Sequence, residues 1–141
     1  MDKKIPAAPD MDALIKASQE ASKREQKAVW DKSLTAEDAW TKLRKAGGKQ
    51  TLDSLLALRE TAWDSEGITA VRYPRWQFDR LVLPYVHQVI EILREAGYTD
   101  WRIHSFLVGP NELLGESPLD VLRAGGRDAV LEAARVDHES F

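Results

Sequence analysis

Between Trp101 and Ala134 the chain reads WRIHSFLVGPNELLGESPLDVLRAGGRDAVLEAA, and its Gly and Pro residues cut it into short pieces. No long helix can cross this stretch. Gly115 can supply the positive φ that turns the chain after Leu113 and Leu114. Ser117 can cap a helix whose first position is Pro118, where the missing N–H costs nothing. That helix is predicted over residues 118–124, stopped by Gly125 and Gly126. A last helix over residues 127–135 follows, with Val130, Leu131 and Ala134 along one stripe.

Upstream, residues 83–96 form a strongly amphipathic pattern. Pro84 suits the first turn, Val86, Val89, Ile90, Ile92 and Leu93 face inward, and Gly97 closes the helix. Thr99 or Asp100 caps the next helix, over residues 101–108. The predicted core of this half contains Trp76, Val86, Val89, Ile90, Leu93, Trp101, Phe106, Leu107, Leu119, Leu122, Val130 and Leu131.

The first half is less apolar. Residues 1–10 lack periodicity and are expected to be disordered. Residues 11–30 are rich in good helix formers but carry only a weak apolar stripe, so this helix is expected to fray or to dock on a partner subunit. Residues 34–46 form a clearer helix, with Thr35 as N-cap and an apolar face of Ala36, Ala39, Trp40, Leu43 and Ala46. Gly47 and Gly48 break it, and a second helix is predicted over residues 50–62. Two helices joined by a Gly-containing turn match a helix-turn-helix-like unit, whose second helix enters the major groove by its N-terminal residues. Those residues are Lys49, Gln50, Thr51 and Ser54, with Arg59 further along, and they are the candidate DNA contacts. Ordinary bundles use the same pattern, and Asp53 among these residues would repel phosphate.

Residues 68–73, ITAVRY, are β-branched and short, which predicts a strand. It pairs with an extended part of residues 55–60 if that segment is not helical, and a strand over 68–73 following two helices would resemble a wing. Trp76 and Phe78 suit nucleic-acid stacking, but their alternate spacing and apolar surroundings favour burial.

The chemistry the chain lacks narrows its function. Cysteine is absent, so disulfides, thiolate metal sites and thiol nucleophiles are excluded. His87, His104 and His138 have no ligand spacing and no accompanying nucleophile, and no phosphate loop, dinucleotide fingerprint or hydrolase elbow occurs. The expectation is a binding protein, not an enzyme, with no metal and no cofactor. No apolar run is of membrane-spanning length and no secretory signal is visible, so a cytoplasmic setting without membrane contact is expected. Charge is uneven. Residues 1–50 carry 11 Lys and Arg against 8 Asp and Glu, a balance of +3, whereas residues 51–141 carry 9 against 15, a balance of −6. Two surfaces for two partners are one reading, and a solvated basic tail is the other.

The pattern Trp101, Phe106-Leu107, Pro110-Asn111, Leu114-Gly115-Glu116-Ser117-Pro118-Leu119-Asp120-Val121-Leu122, Val130 and Ala133-Ala134 resembles the toxin-binding domain of Xre/MbcA/ParS-type antitoxins. Tyr73-Pro74-Arg75-Trp76-Gln77-Phe78-Asp79 is similar to the segment that precedes that domain. The resemblance implies an antitoxin that neutralises a RES-type, NAD-consuming toxin by direct binding and represses its own operon. It implies a toxin surface at the turn and final helix: Leu113, Leu114, Glu116, Arg123 and Arg135, with Phe141 at the end of the tail. The six tail residues could enter a cleft, though such termini are more often frayed. The expected organisation is mainly α: a tail and weak helix over 1–33, a helix-turn-helix-like segment with strand over 34–79, and a helical toxin-binding domain over 80–141. A homodimer is expected, because a short recognition helix usually needs two half-sites. The alternative is a stand-alone transcription regulator with no toxin partner.

Overall fold

A computed structural model describes residues 10–46, 51–60 and 70–139, apart from the side chains of residues 60, 138 and 139. The chain divides into two compact units, Met1–Lys32 and Ser33–Phe141. Among the described residues it is mainly helical, with six α-helices and one small three-stranded antiparallel sheet.

The first unit holds α1 (Met11–Lys32). Ala, Lys, Glu and Gln sustain the helix by propensity. Trp30 is its buried side chain, while Met11, Leu14 and Ile15 are exposed.

In the second unit, β1 (Leu34–Thr35) leads directly into α2 (Ala36–Ala46). The Thr35 hydroxyl accepts from the Asp38 N–H at 3.3 Å, the cap expected of it. The buried face of α2 is narrower than the sequence suggests. Ala39 and Leu43 are buried, but Ala36, Trp40 and Ala46 are exposed. These two positions, one turn apart, face β1 and β3, the strands that the helix contacts.

The helix predicted over residues 50–62 does not form in its described part, residues 51–60. Leu52–Ser54 make one 3-10 turn, residues 55–57 are extended, and Leu58–Glu60 form β2. The buried side chain of Gln77 explains why. Its Nε2 donates to the Leu56 carbonyl and its Oε1 accepts from the Leu56 N–H, both at 2.9 Å. Both polar groups of that peptide are thus taken by a side chain 21 positions away, where a helix would pair them four residues off. The Arg94 guanidinium donates to the carbonyls of Asp53 and Leu55, at 3.4 and 3.0 Å, and holds the segment extended from the other side. Leu55 to Leu58 are all buried, as a doubly covered segment requires.

β3 (Ala70–Tyr73) fulfils the strand expected over residues 68–73 as far as it is described, and the extended alternative for residues 55–60 supplies its partner. The order is β1-β3-β2, with Leu34 opposite Tyr73 and Leu58 opposite Arg72. α2 thus lies in the connection from one edge strand to the other. Leu34, Ala39, Leu43, Leu55, Ala57, Tyr73 and Leu83 make the core under the sheet, with Leu52, Val71 and Phe78 against it.

α3 (Leu83–Glu95), α4 (Asp100–Val108), α5 (Pro118–Arg123) and α6 (Arg127–Glu139) form the helical layer, with α6 packed on α3 and α5. The caps match the sequence reading: Thr99 accepts from Arg102 N–H at 3.2 Å and Ser117 from Asp120 N–H at 3.1 Å. Of the predicted core, Trp76, Trp101, Phe106 and Leu131 are half-buried and the other eight buried. No described helix is long and apolar enough to cross a membrane.

Candidate functional site

The turn between α4 and α5 is built on Asn111. Its Oδ1 accepts from the N–H groups of Leu113 and Leu114, at 3.0 and 3.2 Å, and its carbonyl accepts from the Gly115 N–H at 2.8 Å. The Asn111 N–H closes the loop on the Glu116 carbonyl at 3.2 Å. Gly115 has φ +76, the left-handed conformation that an L side chain resists. Four hydrogen bonds within six residues fix the turn, and they decide the fate of its two leucines. Leu114 is half-buried, whereas Leu113 is 62% exposed.

Beside the turn lies an open depression of about 580 Å³, lined by Pro110, Asn111, Glu112, Leu113, Ala133, Val136 and Asp137. Its far wall is the C-terminal half of α6. That helix runs to Glu139, past the predicted end at residue 135, so Val136 and Asp137 belong to a helix and not to a frayed tail. One cause is visible: the Tyr98 hydroxyl donates to the Asp137 carboxylate. Burial, then that bond, pushes the Tyr98 phenol up to about 12, and the Arg102 guanidinium lies 4.0 Å over its ring. A phenol against a carboxylate gave no signal in the sequence, since the two stand 39 positions apart.

The remaining predicted toxin contacts separate. Glu116 and Arg135 are exposed, the latter 3.6 Å from Glu132. Arg123 is engaged within the fold, donating to Asp79 at 3.0 Å and to Asp120 at 3.1 Å. Asp79 accepts from the Leu81 N–H as well, and these bonds hold its carboxyl below the usual range. Arg123 therefore ties α5 to the segment before α3. Phe141 lies outside the described residues.

Among the described residues, the predicted DNA contacts Thr51, Ser54 and Arg59 do not assemble into a recognition helix. Lys49 and Gln50 lie outside the described residues. The Thr51 carbonyl accepts from both the backbone N–H and the hydroxyl of Ser54, at 3.0 and 2.7 Å, so that hydroxyl is spent on its own 3-10 turn. Arg59, on β2, donates to Asp100 at 2.7 Å, and Arg94 stands 3.8 Å from the same carboxylate.

His104 is buried. Its Nδ1 accepts from the Trp76 indole N–H at 3.2 Å, the two rings stack at 6.0 Å, and Trp101 meets the imidazole edge-on at 6.1 Å. Burial pulls its pKa down to about 4, so the ring is neutral at physiological pH. Trp76 is thus a half-buried partner of a core histidine. Among the described residues no group of three His, Asp or Glu could hold a metal ion. No protein-family model, no curated protein and no solved structure matches this chain.

Proposed function

We propose that this chain is the antitoxin of a toxin–antitoxin pair. It neutralises a RES-type, NAD-consuming toxin by direct binding through the 111–116 turn and the outer face of α6, and it represses its own operon as a DNA-binding homodimer. The observation that carries the toxin half is Leu113. A large apolar side chain held 62% exposed by a tightly bonded turn, next to an open depression, suits an anchor for a partner protein. Glu112 and Asp137, both lining the depression, give it an acidic bias that complements a basic surface around an anionic substrate.

Co-expression with the product of the neighbouring gene tests the reading. The neighbour should be toxic alone and harmless with this chain, and Leu113→Asp should abolish protection while circular dichroism stays unchanged. A neighbour that is harmless alone, or is not rescued, refutes it. Specific binding of the upstream DNA with no toxic neighbour would favour a stand-alone regulator instead.

A further inference from the structure

The outer face of α2 presents an exposed aromatic beside the cations Arg44 and Lys45. Trp40, Thr41, Arg44 and Lys45 follow the i, i+1, i+4, i+5 spacing that puts four side chains on one side of a helix. The opposite side, Ala39 and Leu43, is buried in the core under the sheet. Trp40 is 49% exposed, and Lys42, Arg44 and Lys45 are all exposed. Among the described residues none of these three cations has a carboxylate within ion-pair distance. Arg59, by contrast, is paired with Asp100. Thr41, Arg44 and Lys45 line a depression of about 290 Å³. The Thr41 hydroxyl bonds back to the Glu37 carbonyl at 3.1 Å.

Unpaired cations at a helix C-terminus already complement the helix dipole. That explains their sign but not the large indole left 49% exposed beside them, whose burial would be favourable. Cations that neutralise phosphates, next to an aromatic face that packs on sugar or base, are the recurring pair in sequence-tolerant nucleic-acid binding. The acidic residues of the helix, Glu37 and Asp38, sit in its first turn. Arg44 is seven residues beyond Glu37, or about 10 Å at 1.5 Å per residue, so the cationic end is separate from them.

We infer that the face of α2 formed by Trp40, Thr41, Arg44 and Lys45 binds the phosphate backbone of a nucleic acid, with Trp40 packed against a sugar or base. The inference rests on the DNA-binding half of the proposed function and moves its contacts from the segment after the Gly-Gly break to the helix before it. Toxin neutralisation does not depend on it.

The test uses the full chain and fluorescence anisotropy with three probes: duplex DNA from the chain's own upstream region, a scrambled duplex, and single-stranded DNA. Each is titrated across a salt series. Arg44→Ala with Lys45→Ala should weaken binding about tenfold or more at low salt and lower the magnitude of the salt slope by about 2, the value for two lost phosphate contacts. Trp40→Ala should leave the slope in place and lose about tenfold in affinity, more on the single strand if Trp40 stacks on a base and equally on both forms if it packs on sugar. Melting temperatures should fall by a few degrees at most, since all three side chains are exposed and Arg44 and Lys45 give up only their interaction with the helix dipole. If the parent binds DNA and the double substitution changes neither affinity nor slope, the inference is overturned while DNA binding stands. If the parent binds none of the probes, the inference and the autorepression reading fall together, and the toxin co-expression result stands apart. Polyglutamate that competes as well as DNA, charge for charge, would overturn the inference in favour of an acidic protein partner.

Discussion

Acidification should destabilise this protein through His104, and the size of the effect follows from its surroundings. The imidazole is buried between Trp76 and Trp101, and burial lowers its pKa from 6.5 to about 4. In the unfolded chain the ring takes up a proton as pH falls through 6.5, while in the folded chain it stays neutral until about 4. The unfolded state therefore binds more protons in that window, and stability is lost as pH drops through it. At ~1.4 kcal/mol per pH unit, the loss between pH 8 and pH 5 comes to ~2 kcal/mol. Carboxylates titrate nearby, so the effect is isolated by comparison with His104→Gln, which keeps a polar side chain but cannot protonate. Urea unfolding followed by tryptophan fluorescence at pH 8, 7, 6 and 5 gives both curves. The parent is expected to be the more stable at pH 8, with its advantage narrowing by ~2 kcal/mol at pH 5. A difference that stays constant across the series would refute the reasoning and show that the ring can protonate in the folded protein.

Gln77→Leu should cost about 2–4 kcal/mol in chemical denaturation, because it strands the buried N–H and C=O of Leu56; a loss below 0.5 kcal/mol would mean that those groups find other partners. Leu113→Ala should change stability by less than about 0.5 kcal/mol, as an exposed position does, whereas Leu114→Ala should cost measurably more; equal losses would contradict the orientation of the turn. Arg123→Ala should lower stability by about 1 kcal/mol or less, since its ion pairs with Asp79 and Asp120 are partly exposed. Loss of toxin protection in that variant with no change in melting would restore Arg123 to the binding surface.

The helices from residue 83 onward were legible because their signals are local. Thr99 and Ser117 act within three residues of themselves, Pro118 and Gly125 punctuate the backbone, and the apolar stripe of α3 repeats at the helical period. β3 was legible for the same reason, in its β-branched run. The segment from residue 51 to 60 was not. Its leucines suit a helix or a buried strand equally, and the choice was made by Gln77 and Arg94, which take its backbone groups from 21 and 39 residues away. The candidate surfaces divide in the same way. Composition alone marked the 111–116 turn as a turn, but only the Asn111 hydrogen bonds decided that Leu113 faces solvent and Leu114 packs inward. Sequence put Trp40 in the apolar face of α2, and the tertiary structure left it in solvent because packing on β1 and β3 buries only Ala39 and Leu43 of the helix. A local pattern specifies which element forms, because capping and periodicity act within a few residues. Which of its side chains meets a partner is settled by groups brought together across the fold, and no neighbouring residue encodes that.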